Sequence, residues 1–116
     1  MVEDDAGLRE LYRSALRGAG YAVIAVEDGL DALRRVEQDR PDAVVLDLAL
    51  PRLDGRDVHR ELKAGRGTRD IPIVVVSGTD ATDLDPAEFA CVLQKPVGAG
   101  ALISAVRGCF GRTSDV

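Results

Sequence analysis

The chain has few residues with which to staple, stack or span. Two cysteines, Cys91 and Cys109, occur in 116 residues with neither a CxxC motif nor a histidine at ligand spacing. Such a count excludes a disulfide framework, suits a reducing cytoplasm, and leaves both thiols as packing residues. Two tyrosines, two phenylalanines and no tryptophan are too few and too scattered to stack nucleobases. Positive charge is also short: 15 basic residues face 20 acidic ones, for a net charge of −5, and the basic residues are spread along the chain. No electrostatic footprint for nucleic acid results, so direct DNA or RNA binding is not expected. No apolar run approaches the roughly 20 residues that cross a bilayer, and no signal-peptide pattern is evident, so membrane attachment is not expected either. The only histidine, His59, lacks partners and is expected to be a solvated helix residue rather than a ligand or phosphocarrier.

What is present is a foldable core. Hydrophobic residues make up 46% of the chain, enough for one globular domain, and no composition break suggests a second. The domain is expected over 1–111, with 112–116 as a tail.

Between Asp5 and Ala19, the residues Leu8, Leu11, Tyr12, Ala15 and Leu16 recur at helical spacing, and Gly20 ends the run. YAVIAV (21–26) reads as a strand, after which Asp28 can cap a helix carrying Leu30, Leu33 and Val36, closed by Pro41. DAVVLDL (42–48) is the next strand, and a short helix follows over 57–64. IPIVVVS (71–77) and CVLQ (91–94) are two more strands, and 99–110 returns to helical periodicity. Alternation of this kind builds a parallel sheet with helices on both faces.

In such sheets ligands bind outside the carboxyl ends of the strands, where Glu3, Asp4, Asp5, Asp47, Ser77 and Lys95 fall. Asp47 is the conspicuous one. It interrupts the apolar run VVLDLALP (44–51), where a buried carboxylate is costly. Carboxylates gathered at close range call for a cation, and hard oxygen donors suit Mg²⁺, with Asp4 and Asp47 as anionic ligands. Asp47 would then be a nucleophile toward phosphorus, with Ser77 and Lys95 as donors to the phosphoryl oxygens and Gly78 leaving room beside the backbone. Asp5 reads as a helix cap. A phosphohydrolase would want a second acid two residues after the nucleophile, and Ala49 stands there.

Taken together in order and spacing, VEDD (2–5), DLALPRLDG (47–55), VVVSG (74–78) and KP (95–96) resemble the receiver domains of two-component response regulators over nearly the whole chain. The resemblance implies a doubly wound α/β fold, a flavodoxin-like five-stranded parallel sheet in the order 2-1-3-4-5. It implies that Asp47 is the phosphorylated aspartate, Ser77 the switch hydroxyl and Lys95 the phosphate-contacting lysine. Glu3, Asp4 and Asp47, with the main-chain carbonyl of Ala49, would hold Mg²⁺, and the peptide bond before Pro96 would be cis. The implied partners are a sensor histidine kinase or phosphotransfer protein and a downstream protein or output domain. The implied role is that of a cytoplasmic switch, not of an enzyme with its own substrate. Homodimerisation stays open.

Several features depart from that pattern. The sequence opens at MVEDD, so the first strand is expected to be largely truncated, exposing two strand edges and part of the core. From Ser77 to Lys95 is 18 residues, about one helical turn short, so the fourth helix is expected to be brief, around 87–90. Val92 stands where the family often has an aromatic, and Ala49 offers no polar side chain to tune phosphate lifetime. These departures leave a second reading: a pseudo-receiver that acts as a phosphorylation-independent interaction or dimerisation module.

Overall fold

The structure, a computed structural model, describes residues 1–48, 50, 54–78 and 86–111. Helix α1 (Ala6–Gly18) begins where the Asp5 carboxylate accepts the Leu8 N–H at 3.0 Å, and it buries Tyr12 and Leu16 on one face. Gly20, at φ +101°, lets the chain reverse where a side chain would be strained. Helix α2 (Gly29–Asp39) is capped in the same way by Asp28 on the Asp31 N–H, and ends at Arg40 in the left-handed region just before Pro41.

Among the described residues three strands form the sheet: β1 (Val44–Asp47), β2 (Ile73–Ser77) and β3 (Cys91–Gln94), parallel and in that order. Val45 pairs with Val74 and Val75 with Val92. Every residue of β1 and β2 is buried, as expected of strands covered on both faces. Strand alternation sorts the core into two halves. Leu46 and Val75 face α2 and helix α3 (Gly55–Ala64), where Ala32, Val36, Val58 and Leu62 meet them. Val45, Val74 and Val76 face α1 and helix α4 (Ala99–Gly111), against Tyr12, Leu16, Leu102 and Val106. The α/β doubly wound architecture is therefore the observed one.

The first strand is indeed reduced, to Val2 alone, which bridges in parallel to Val26 on one side and Leu46 on the other. The spatial order 26, 2, 46 keeps the amino-terminal segment between its neighbours. The strand expected over 21–26 shrinks with it. Ladders are made by pairs of strands, and a single partner residue cannot extend one, so 21–25 carry no regular pairing. The brief helix expected near 87–90 is a 3₁₀ turn over Pro86–Glu88, which is how one short turn commonly closes. Both cysteines are free and half-buried. Residues 49, 51–53, 79–85 and 112–116 lie outside the described set, so the Ala49 carbonyl, most of the fourth-helix region and the tail do too. Among the described residues no helix is long and apolar enough to cross a membrane.

His59 is not the solvated residue its sequence context suggests. Its ring lies 4.4 Å from that of Phe89, itself a core residue, and its Nε2 is buried with no hydrogen-bond partner among the described residues. The packing partner lies 30 positions along the chain, beyond the reach of helical periodicity. Burial lowers the imidazole below its ordinary 6.5; Glu88 opposes this through charge and a backbone hydrogen bond, while Lys63 and Arg60 reinforce it. The folded protein thus refuses a proton that the unfolded chain accepts. Its contribution to stability is present above pH 6.5 and is lost as the pH falls below that value. His59→Phe, compared with the parent by denaturant midpoints on either side of that value, is expected to abolish this part of the acid-side loss.

Candidate functional site

A parallel sheet delivers the carboxyl ends of its strands to one rim, and here the rim carries the charge. Asp47 ends β1 and Ser77 ends β2, 3% and 4% exposed respectively. Lys95 follows β3 directly and donates its backbone N–H to the Ser77 carbonyl at 2.7 Å. The peptide bond between Lys95 and Pro96 is cis, as expected.

Glu3 reaches the same rim through a few backbone bonds. Val2 N–H donates to Val45 O at 2.8 Å, Asp47 N–H to Val2 O at 3.0 Å, and Glu3 N–H to Val26 O at 3.1 Å. These bonds fix the acidic turn beside Asp47 although the strand itself is one residue long. Arg9, one turn into α1, donates to the carbonyls of Glu3 and Asp4 at 3.1 and 3.4 Å and ties the turn from the other side.

The Lys95 ammonium lies 3.0 Å from Glu3 Oε1 and 3.1 Å from Asp47 Oδ2. Glu3 is 1% exposed, and its second oxygen accepts the Asp5 N–H at 3.2 Å. Burial pushes the Glu3 carboxyl up to about 7, with Asp47 adding repulsion, against the opposing pull of Lys95 and the Asp5 N–H. For Lys95, burial acts downward, but the hydrogen bonds to Glu3 and Asp47 outweigh it and hold the ammonium above its ordinary value. One cation serves two buried carboxylates.

Glu3, Asp4 and Asp47 each place one carboxylate oxygen within 4.8 Å of the others. This all-oxygen set, with Asp4 exposed to solvent, matches a small hard cation that keeps part of its water. Around it opens a cleft of about 360 Å³, lined also by Leu8, Ser77, Gly78 and Lys95. The structure thus brings together Glu3, Asp4, Asp47, Ser77 and Lys95, while Ala49 lies outside the described residues. Asp5 takes the capping role expected of it.

Sequence reasoning missed three residues here. Asp54 and Arg56 line the cleft from the start of α3, where Asp54 accepts the Arg56 N–H at 2.8 Å as the helix cap. An Asp-Gly before a periodic run signals such a cap, but not that it borders a cleft. The role of Arg9 is likewise tertiary. The reason Gly55 follows is spatial. A Cβ there would strike the Asp47 carbonyl oxygen and come within 2.5 Å of Leu48 Cα, and the Gly55 N–H donates to Leu48 O at 2.8 Å.

A family model described as the response regulator receiver domain matches residues 1–107. Response regulator MprA of Mycobacterium tuberculosis is 39% identical over 97% of this chain, and that of Mycobacterium leprae 38% identical over 97%. The chain spans half the length of these curated relatives. Among solved structures, a sensor protein from Polaromonas is 30% identical with a TM-score of 0.85, covering 95% of this chain and 94% of that one. The receiver domain of a sensor histidine kinase from Pseudomonas aeruginosa, solved with a magnesium ion in its active-site cleft, is 31% identical with a TM-score of 0.80, covering 94% and 93%.

The glycine contact is testable without any ligand. Gly55→Ala forces backbone against backbone, and is expected to cost about 2–3 kcal/mol in denaturant unfolding. Gly100→Ala, in a helix where the added Cβ meets nothing within 4 Å, is expected to change stability by about 1 kcal/mol or less.

Proposed function

The chain belongs to the response regulator receiver domain family, and from that premise we propose that it is a phosphorylation-driven signalling switch with Asp47 as the acceptor. The observation that carries this reading is the Lys95 ammonium held between the buried carboxylates of Asp47 and Glu3 at the carboxyl rim of the sheet. A pseudo-receiver has no need of that costly arrangement. The carboxylate oxygen of Asp47 attacks the phosphorus of a phosphohistidine on a sensor histidine kinase or phosphotransfer protein. The P–N bond breaks as an acyl phosphate P–O bond forms, and the departing imidazole keeps the electron pair and takes up a proton. Glu3, Asp4 and Asp47, with the Ala49 carbonyl, would hold a Mg²⁺ ion, which offsets the repulsion between the carboxylate and the incoming phosphoryl oxygens.

Lys95 is placed to move from the carboxylates to a phosphoryl oxygen. The Ser77 hydroxyl, at the end of the neighbouring strand, is the second donor that reads the product. The Lys95 N–H donates to the Ser77 carbonyl at 2.7 Å, which holds the two residues side by side at the rim. The downstream partner is a protein or an output domain, and the setting is the cytoplasm, where the donor kinase domain would meet it. Phosphoryl transfer here is the chain's own modification, not turnover of a separate substrate.

Two measurements test this. Incubation with Mg²⁺ and acetyl phosphate is expected to add one phosphoryl group, seen by intact mass and lost under mild base. Asp47→Asn, folded as judged by circular dichroism, is expected to add none. Failure of the parent chain to form an adduct would leave the pseudo-receiver reading in its place. In calorimetric titration with Mg²⁺, Asp4→Asn is expected to weaken binding by about tenfold or more, since loss of one carboxylate ligand removes on the order of 1–2 kcal/mol. Equal affinity in the two proteins would remove Asp4 from the metal set.

A further inference from the structure

The loop that leads from α3 into β2, residues 65–72, lies at the amino ends of the strands, the opposite end of the sheet from the acidic rim. Arginines on the helix faces are neutralised in place: Arg13 by Glu10, Arg34 by Asp31, Arg35 by Asp39 and Arg60 by Asp57. Around this loop the pairing stops. Arg40, Lys63, Arg66 and Arg69 meet there, and none of them is ion-paired with a carboxylate among the described residues. Arg40, Arg66 and Arg69 are exposed.

Backbone bonds hold this cluster in one arrangement. Arg40, in the left-handed region at φ 47°, ends α2 and lays its guanidinium over Gly67, with Nη1 3.5 Å from the Gly67 carbonyl oxygen. A Cβ on Gly67 would displace that guanidinium. Lys63 Nζ donates to the Arg69 carbonyl at 3.1 Å, and the buried Thr68 hydroxyl donates to Leu62 O at 2.6 Å. The Arg69 N–H closes the turn on Gly65 O at 2.9 Å. Each of these bonds ends on a backbone carbonyl, so the loop is fixed while its positive charge is left unopposed. The helix dipole accounts for Arg40 and Lys63, at the ends of α2 and α3. Arg66 and Arg69 lie beyond Gly65, where α3 has already been capped, and have no such role.

We propose that this loop is a docking surface for an acidic protein segment whose carboxylates pair with Arg40, Arg66 and Arg69. Guanidiniums on a fixed frame present planar forks that match carboxylates two N–H groups at a time, and little ordering of the loop is left to be done on binding. Asp42 and Asp70, both exposed, stand among these arginines in the sequence and break the positive field into separate sites. Carboxylates at chosen positions along a peptide avoid those two acids. The evenly spaced phosphates of a nucleic acid do not, and they also meet a chain of net charge −5. The surface lies at the far end of the strands from Asp47, so this docking is independent of the phosphoacceptor reading.

Fluorescence anisotropy of a labelled hexaglutamate peptide at about 50 mM salt tests this, since higher ionic strength screens surface pairs. The parent chain is expected to bind the peptide. Arg66→Gln combined with Arg69→Gln, both exposed, is expected to weaken binding by about tenfold through the loss of two charge-assisted pairs. Arg13→Gln combined with Arg34→Gln removes the same charge from α1 and α2, and is expected to leave the affinity within about twofold. Equal weakening by the two double variants means attraction by net charge alone and overturns the surface, as does absence of binding by the parent chain at millimolar peptide. Tighter binding of a short DNA duplex than of hexaglutamate, lost in the Arg66 and Arg69 double variant, overturns the assignment to an acidic protein segment.

Discussion

Everything at the carboxyl rim depends on one ammonium held between two buried carboxylates. Glu3 arrives from the amino terminus, Asp47 from the end of β1, and Lys95 from the turn after β3. The charge contact therefore ties together segments that the sheet alone joins only through its ladder. Neither carboxylate could be buried to this degree beside the other without a cation, and removing one partner from such a group generally costs about 3–5 kcal/mol. A single charge on which both carboxylates depend would suit the proposed switch: what it pairs with would decide which arrangement of the rim is stable.

The rim tolerates a reduced first strand because position is set by hydrogen bonds, not by strand length. Val2 bonds to Val45 and Asp47 on one side, Glu3 and Met1 bond to Val26 on the other, and Arg9 clamps the turn from α1. At the other end of the sheet, chain edges at 22–24 and 43–45 and apolar side chains surround a cavity. The two ends of one strand thus have separate consequences, chemistry at the carboxyl end and core completeness at the amino end. From sequence the second consequence was foreseen, as exposed edges and core; that the acidic turn keeps its place is a matter of backbone register that sequence does not display.

Legibility followed the range of the forces involved. Helix caps such as Asp5 and Asp28 are local events and read directly from residue type and spacing. The buried strands VVLD, IVVVS and CVLQ read from their β-branched, apolar character. The rim residues were legible because a parallel sheet obliges its strand ends to converge, and because four short motifs kept a recognisable order. The failures were all tertiary. The run at 21–26 has strand composition, but among the described residues its one bridge is Val26 with Val2. His59 sits on an amphipathic helix whose facing surface is made by Phe89. Asp54 and Arg56 border the cleft because Gly55 lets α3 approach the Asp47 carbonyl.

Charge at the rim gives the physical reason a divalent cation, rather than another basic side chain, would complete it. Fully ionised, Glu3, Asp4 and Asp47 oppose the single charge of Lys95, leaving two negative charges within a few ångströms. Burial, with a smaller contribution from Asp47, raises the proton affinity of Glu3, so that its charge is the most costly of the three to hold. A second lysine would balance the charge permanently, and would leave nothing for a phosphoryl group to displace. A bound divalent ion would instead neutralise the rim while keeping exchangeable water positions open to an incoming oxygen. The same accounting would give Lys95 its freedom: with a dication offsetting the carboxylates, the ammonium would no longer be the only charge holding them, and it could turn to a new anion on Asp47 in the proposed switch.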